Sequence, residues 1–526
     1  MPKIGVYICH CGLNIAGVVD IEKVTKYAKS LPDVVIVKHY TYMCSEPGQR
    51  MIRKDIKNHK LDRIVIATCS PRMHEETFRK AVAGAGLNPY LLEIVNLREH
   101  VSWVHGDEPE KATEKAKALV RMGVARAKLL EPLEKHKVSV EKNVLVVGGG
   151  IAGIQASLDL ANAGFKVYLV EKAPSIGGRM AQLDKTFPTL DCSACILTPK
   201  MVDVAEHPNI ELLTNSEVTE VKGFVGNYEV SIVNKSRYVD EKKCVGCELC
   251  TKVCPVKIPD EFNEGLSQTR AISIYSPYAV PKVAIINPKH CLRLKYNKDV
   301  CGKCLEVCEA KAINFEQQPE TVQIRVGGIV LAVGSEVFDA TKMPEFGYSS
   351  YKNVISNIEF ERIVNASGPT EGKILCPQNG EPPKTAVFVQ CVGSRDKRFH
   401  EYCCRVGCMA TLKQAILTRE KLGKDVNIYI CFNDMRAFGK GYDEFYSRAR
   451  DLDINFVAGL PSDIRSDANG LLHFDVYDKA TNKLLEIRPD LVVLANGLVP
   501  NSDLGKISAL FHVSRSADGF LLEMHP

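Results

Sequence analysis

The sequence predicts an α/β protein built around parallel sheets, and three observations predict it. Short apolar runs alternate with amphipathic stretches along most of the 526 residues, the pattern of repeated strand–helix–strand units. One such run, Val144–Val147, leads into Gly148-x-Gly150-x-x-Gly153 and then a helical stretch. Between about Arg237 and Phe315 the periodicity stops in a segment rich in cysteine and proline. The apolar run Gly327–Val333 then resumes the earlier pattern, as expected of a segment inserted into an α/β fold.

Composition narrows the class. The chain is 45% hydrophobic and 25% charged, ordinary values for a globular protein. A net charge of +5 over this length gives no reason to expect a nucleic-acid partner. The basic run Lys111–Lys128 reads as the solvated face of a helix. No stretch reaches the roughly 18 apolar residues of a membrane span, and the N-terminus lacks the apolar core and cleavage site of a signal peptide. A cytoplasmic protein without a membrane span is expected. In a reducing compartment, twenty cysteines in groups point to metal or redox chemistry before disulfides.

Residues 1–138 predict a first α/β domain, with strands at Lys3–Ile8, Val34–His39 and Arg63–Ala67 and helices at Asp20–Ser30, Gly48–His59 and His74–Ala83. Cys9 and Cys11 follow the first strand, Cys44 the second and Cys69 the third. Open α/β sheets bind ligands beyond the carboxyl ends of their strands, so four thiols at one edge predict an iron–sulfur site. Buried or zinc-binding cysteines are the rival reading. Cys69-Ser-Pro-Arg72 opens a helix whose dipole favours a thiolate. Glu131–Lys142, charged and with one proline, reads as a linker.

Residues 139–236 predict the first part of a dinucleotide-binding domain. Gly148 permits the tight turn, Gly150 lets backbone approach a pyrophosphate, and Gly153 lets the helix Ile154–Ala163 pack close. The next strand, Lys166–Val170, ends in Glu171-Lys172, at the distance expected for an acid that binds a ribose hydroxyl. Ser175-Ile-Gly-Gly178-Arg179-Met resembles the glycine doublet of flavoproteins with two dinucleotide-binding domains. Gly328–Gly334 resembles the strand-plus-glycine that returns to their flavin domain. FAD is therefore expected over NAD, held by Gly148, Gly150, Gly153, Glu171, Lys172, Gly178, Arg179 and Gly334, with residues 316–375 as the domain's second part.

Residues 237–315 carry Cys244-x-x-Cys247-x-x-Cys250-x-x-x-Cys254-Pro, the run of bacterial-type ferredoxins. Cys291, Cys301, Cys304 and Cys308 form a looser second run. In two-cluster ferredoxins the fourth cysteine of each run ligates the other cluster. One [4Fe–4S] cluster is thus expected on Cys244, Cys247, Cys250 and Cys308, the other on Cys291, Cys301, Cys304 and Cys254. Zinc is the rival ligand, but this compact spacing is not its usual one.

Residues 376–502 look like a degenerate NAD-binding domain. The strand Ala386–Gln390 runs into Cys391-Val-Gly393-Ser-Arg, with a cysteine where the first glycine belongs and no third glycine. Cys403, Cys404 and Cys408 follow closely, so four thiols predict a cluster in place of a nicotinamide. Buried cysteines are the plainer alternative. Lys413, expected at a helix start or first turn, is a candidate for stabilising an anionic flavin, or is simply solvated. Cys192-x-x-Cys195 invites a redox-disulfide reading, and its role stays open.

Taken together, the Cys9-His-Cys-Gly12 and Cys69–Arg72 segments, the glycine turn, the inserted ferredoxin run, Gln390–Arg395 and Tyr402–Cys408 resemble the A-type subunit of heterodisulfide reductase. The likeness covers essentially the whole chain. It implies a thioredoxin-reductase-like flavoprotein core with an inserted ferredoxin domain and an N-terminal α/β domain, holding FAD and about four [4Fe–4S] clusters. It also implies flavin-based electron bifurcation. A hydrogenase or formate dehydrogenase delivers electron pairs through its small iron–sulfur subunit; one electron goes to ferredoxin and the other to the CoM-S-S-CoB heterodisulfide, reduced on B- and C-type partner subunits. Residues 503–526, with Asp518–Pro526, resemble the start of the return to the flavin domain. The family's Gly-Asp segment and C-terminal ferredoxin do not appear, so either a separate chain completing them is among the expected partners or the chain is a truncated product. Two other functions fit the motifs: an NAD(P)H-dependent flavin disulfide reductase using Cys192 and Cys195, and a cluster-carrying scaffold without its own flavin.

Overall fold

Ile4–Cys9 is buried at every residue, as happens to a strand covered on both faces of a parallel sheet. In the computed structural model, which describes residues 2–296 and 300–523, it pairs on either side with Val34–Tyr40 and Arg63–Thr68, and Leu92–Asn96 completes a four-stranded parallel sheet. Successive side chains leave opposite faces. Ile4, Val6 and Ile8 pack with Val24 and Val120 on one side, while Tyr7 and Cys9 pack with Ile52 and Phe78 on the other. The helices Ile21–Lys29, Glu46–His59 and Pro71–Ala83 start within three residues of the sequence expectation. The strand Leu92–Asn96, too short and polar to stand out as an apolar run, is new. Pro109–Lys128 is a helix whose charged face is solvated, while Ala112, Ala116, Val120, Val124 and Ala127 are buried. These residues form one compact unit, Met1–Val138.

The second unit, Ser139–Leu522, contains two parallel sheets. The first has the order Gly328–Leu331, Val144–Val147, Val167–Val170, Ile210–Leu213. Beside it Ser216–Phe224, Asn227–Asn234 and Glu320–Val326 make an antiparallel sheet in which Glu320 stands opposite Asn234. The cysteine-rich segment therefore leaves and re-enters at neighbouring points, which is why 85 residues can be accommodated without disturbing the strands around them. Among its described residues, two short hairpins and four short helices surround a small core of Val239, Ile272, Val283 and Ile313.

The second parallel sheet has the order Val354–Ser356, Leu491–Asn496, Thr385–Val392, Asn427–Cys431, Asn455–Val457. The helix Gly407–Leu422 packs on it with Met409, Leu412 and Ile416 buried. Lys413 therefore lies in that helix's second turn and is buried, not in a first turn or in solvent as the sequence suggested. Arg515 and Leu521 form an isolated antiparallel bridge; the last three residues of the Asp518–Pro526 segment lie outside the described residues. Among the described residues no helix is long and apolar enough to cross a membrane.

Candidate functional site

The glycine turn is built around backbone that a side chain would block. Gly148 has φ +104°, and a Cβ there would sit 2.3 Å from the Ala332 carbonyl oxygen; at Gly153 it would sit 1.8 Å from that of Gly148. At Gly150 a Cβ would meet nothing, so the N-terminus of the helix Ile151–Asn162 faces open space, as a pyrophosphate requires. The second glycine loop closes on the first. Gly150 bridges Gly177, and the Gly177 N–H donates to the Gly149 carbonyl at 2.7 Å. Gly178 has φ +54°, and a Cβ on it would come within 2.9 Å of the Gly150 Cα. Gly334, φ +69°, opens onto free space. Glu171 accepts from the Gly149 N–H at 2.6 Å and the Ala173 N–H at 2.7 Å, so its carboxylate is fixed at the strand end beside the turn. This donor set and the open cradle fit FAD. Lys172 is paired with Asp503 at 2.9 Å and Arg179 with Glu264 at 3.3 Å, so both stand near the cradle with their charges engaged.

The inserted segment is anchored on that same loop. Arg237, 2% exposed, donates to the Pro174 carbonyl at 2.7 Å and to the Thr214 hydroxyl, and pairs with Glu241. The Ile176 N–H donates to the Val280 carbonyl, the Val280 N–H to the Ser175 hydroxyl, and Gln182 to the Phe262 carbonyl.

Within the insert, Cys254, Cys291, Cys301 and Cys304 line one cavity, together with Pro255, Ile272 and Phe315. Cys304 is pushed up to about 12 by burial and by the neighbouring Cys291, Cys250, Cys301 and Cys254. Cys250 is raised by burial, with Cys244 and Cys247 adding to it. Cys308 accepts the Ala312 N–H at 3.3 Å and belongs to the same core.

At the second parallel sheet Cys391 adopts φ +62°, the conformation that a glycine would supply. Burial first, then Cys408, Cys404 and Cys403, push its thiol up to about 12, with Arg395 opposing them. Cys403 accepts the Arg405 N–H and Cys404 the Gly407 N–H, each at 3.3 Å. A polar cavity of about 290 Å³ lies alongside, lined by Cys391, Arg395, Arg398, Asn433 and Ser462. Gly393, φ +74°, faces the Phe338 ring so closely that a Cβ would sit 2.1 Å from it. The place where phosphates would approach backbone is thus occupied by an aromatic ring.

In the N-terminal unit the Cys9 sulfur accepts the N–H groups of Cys11 and Met43 at 3.3 and 3.4 Å. Cys11 has φ +52°. Cys44 is raised by burial, then by Cys9 and Cys11. Cys69, raised by burial, feels Cys11 and Cys9, with Arg98 opposing them. Arg98 donates to the Cys11 sulfur at 3.6 Å.

Thiols raised in this way are neutral until a metal takes their protons. Among the described residues no three His, Cys, Asp or Glu side chains are arranged for a single metal ion. A [4Fe–4S] cube takes each thiolate at a different iron, so its four ligands stand further apart than four thiolates about 2.3 Å from one zinc. The remaining two core thiols, Cys376 and Cys431, are each pushed up to about 12 chiefly by burial.

Lys413, Glu361 and Arg362 form a network that sequence reasoning missed in part. Lys413 is 1% exposed, pairs with Glu361 at 2.7 Å and donates to the Lys185 carbonyl at 2.8 Å. Glu361 also accepts from the Asp184 N–H at 3.0 Å and from Gln414 at 2.7 Å. Arg362 donates to the Gln182 carbonyl and to Asn263. The segment just after the second glycine loop is therefore held by helices of the second sheet. The signal for Glu361 and Arg362 was a pair of adjacent opposite charges beside the apolar Ile363-Val364 end of the stretch Ile358–Val364.

A cradle for a dinucleotide, a ferredoxin-type thiol set and two further thiol groups on parallel sheets define an FAD- and [4Fe–4S]-dependent oxidoreductase. Residues 143–189 match the family described as FAD dependent oxidoreductase, and residues 237–260 the 4Fe-4S binding domain. The A-type subunit of H(2):CoB-CoM heterodisulfide,ferredoxin reductase from Methanothermobacter marburgensis is 52% identical over all of this chain and 79% of its own length. The A-type iron-sulfur subunit of CoB–CoM heterodisulfide reductase from Methanocaldococcus jannaschii is 49% identical over the same shares, 100% and 79%. Among solved structures, T. acidophilum thioredoxin reductase aligns at 12% identity over 72% of this chain and 83% of that one, with a TM-score of 0.36. The chain belongs to the family of heterodisulfide reductase A-type subunits.

Proposed function

We propose that this chain is the electron distributor of a heterodisulfide-reductase-type complex in the cytoplasm. It receives electron pairs from a hydrogenase or formate dehydrogenase module through a small iron–sulfur subunit. One electron leaves toward ferredoxin and the other toward B- and C-type subunits that reduce the CoM-S-S-CoB heterodisulfide. Bound FAD supplies the conversion between two-electron and one-electron transfer.

The observation that carries this reading is the exchange at the second sheet, where thiols and the Phe338 ring take the place of a phosphate cradle. A chain that cannot seat a nicotinamide there needs another donor, and cysteines within reach of one another offer a cluster route. On this reading Gly148, Gly150, Gly153, Glu171, Gly178 and Gly334 seat the dinucleotide. Lys172 and Arg179 flank it. Lys413, held by Glu361, fixes the loop beyond Gly178 and is the candidate cation for an anionic flavin. Sixteen thiols hold four clusters: two in residues 237–315, one on Cys391, Cys403, Cys404 and Cys408, and one on Cys9, Cys11, Cys44 and Cys69. The domain partition follows: 1–138, a flavin domain split as 139–236 and 316–375, the insert 237–315, and 376–502.

The test is anaerobic reduction of the purified, flavin-loaded chain. The proposal expects NADH and NADPH to leave the flavin absorbance unchanged, while a hydrogenase module with its iron–sulfur subunit bleaches it under hydrogen. Stoichiometric bleaching by NADPH would instead establish a disulfide-reductase type of enzyme. Zinc in place of iron would remove the electron-transfer reading altogether.

A further inference from the structure

Cys192 and Cys195 stand apart from the other grouped thiols. Both are exposed. Cys192 caps the 14-residue helix Ser193–Glu206, and its sulfur accepts the Cys195 N–H at 3.4 Å. The N-terminus of the helix thus faces the Cys192 sulfur, which takes one of its first-turn N–H groups. Cys195 is raised by its contact with Cys192, whereas Cys304 and Cys391 are each raised by three or more neighbouring thiols. The two thiols therefore form a pair and not part of a four-ligand set.

The first turn is held from outside and loose within. The Ser193 N–H donates to the Asp184 carbonyl at 3.0 Å, and Cys192 bridges Lys185. Asp184 and Lys185 are the residues gripped by Glu361 and Lys413. Within the helix, Pro199 has no N–H to give the Cys195 carbonyl, so the turn is free to tighten. Residues three apart on a helix have Cβ atoms about 5–6 Å apart, a short step from the roughly 3.5–4.5 Å that a disulfide needs.

We propose that Cys192 and Cys195 form a reversible dithiol–disulfide pair that exchanges with low-molecular-weight disulfides, with Cys192 as the attacking sulfur. The Cys192 thiolate attacks one sulfur of R–S–S–R. The S–S bond breaks, a mixed disulfide forms on Cys192, and RS⁻ leaves. Cys195 then gives up its proton and attacks the Cys192 sulfur, which releases the second RS⁻. The pair loses two electrons and two protons, and the small disulfide becomes two RSH. Exchange needs neither flavin nor cluster, so it stands or falls separately from the electron-distribution reading. Its location couples the thiol–disulfide balance of the surroundings to the loop that Lys413 holds.

The test equilibrates the full chain anaerobically in mixtures of 2-mercaptoethanol and its disulfide, quenches with acid, alkylates, and weighs the tryptic peptide spanning 186–200. The expected result is one two-electron transition in which both alkyl groups are lost together. With Cys195→Ser, mercaptoethanol should accumulate on Cys192 about tenfold faster than it does on Cys195 in Cys192→Ser, because the Cys192 sulfur is the one that sits at the helix N-terminus and accepts a first-turn N–H. Iron content should be unchanged in both variants. Two alkyl groups at every ratio, faster adduct formation on Cys195, or loss of iron from either variant would overturn the proposal.

Discussion

The turn after Val144–Val147 and the turn that begins at the end of Thr385–Val392 leave inner strands of two parallel sheets and meet opposite fates. The first keeps a glycine at φ +104° and leaves Gly150 facing open space. The second keeps the left-handed backbone but places Cys391 in it, at φ +62°, and buries Gly393 against Phe338. A non-glycine residue in that conformation costs about 1–2 kcal/mol and persists where surrounding structure over-determines it. The same fold thus supports a phosphate cradle in one sheet and a thiol set in the other, through a handful of residues at one strand end.

Breaking the first turn should have the largest effect. Gly153→Val forces a Cβ to within 1.8 Å of the Gly148 oxygen. Flavin released on denaturation should fall from about one per chain to below roughly a tenth, with iron unchanged. Next comes the buried ion pair between the helices Asn357–Val364 and Gly407–Leu422. Glu361→Gln leaves Lys413 buried and unpaired and should cost about 3–5 kcal/mol, read from thermal unfolding, while the double change Lys413→Met with Glu361→Leu should recover most of it. Cys391→Gly should relieve about 1 kcal/mol of backbone strain in the metal-free protein yet fail to create NADPH binding by calorimetry, because Phe338 still fills the approach. The smallest effect concerns the cations beside thiols. Arg98→Met removes the guanidinium next to Cys11 and should lower the midpoint potential of the cluster proposed on Cys9, Cys11, Cys44 and Cys69, by EPR-monitored titration, by on the order of tens of millivolts.

The first turn was legible in the sequence because its constraints are local: three glycines, a strand before and an acid after. The N-terminal thiol group was legible for a similar reason, since Cys9, Cys44 and Cys69 each follow an apolar run by a few residues. Lys413 was misplaced because its neighbours looked like a helix start, and the actual onset at Gly407 depends on turns around Cys403 and Cys404 that no periodicity marks. Its partner Glu361 lies 52 residues earlier, and Arg98 lies 87 residues from Cys11. Such pairings are set by how sheets and helices pack, and only the packed chain shows them. The anchoring of the insert by Arg237 is of the same kind.

The central claim is that the second turn holds a cluster where a nicotinamide would bind, and iron counting tests it most directly. Iron, acid-labile sulfide and flavin would be measured on the anaerobic full chain and on the double variant Cys391→Ser/Cys404→Ser. The account predicts about sixteen irons falling to about twelve, with sulfide falling in step and flavin constant. An unchanged iron count in a folded variant, or a wild-type chain with about eight irons, would contradict it.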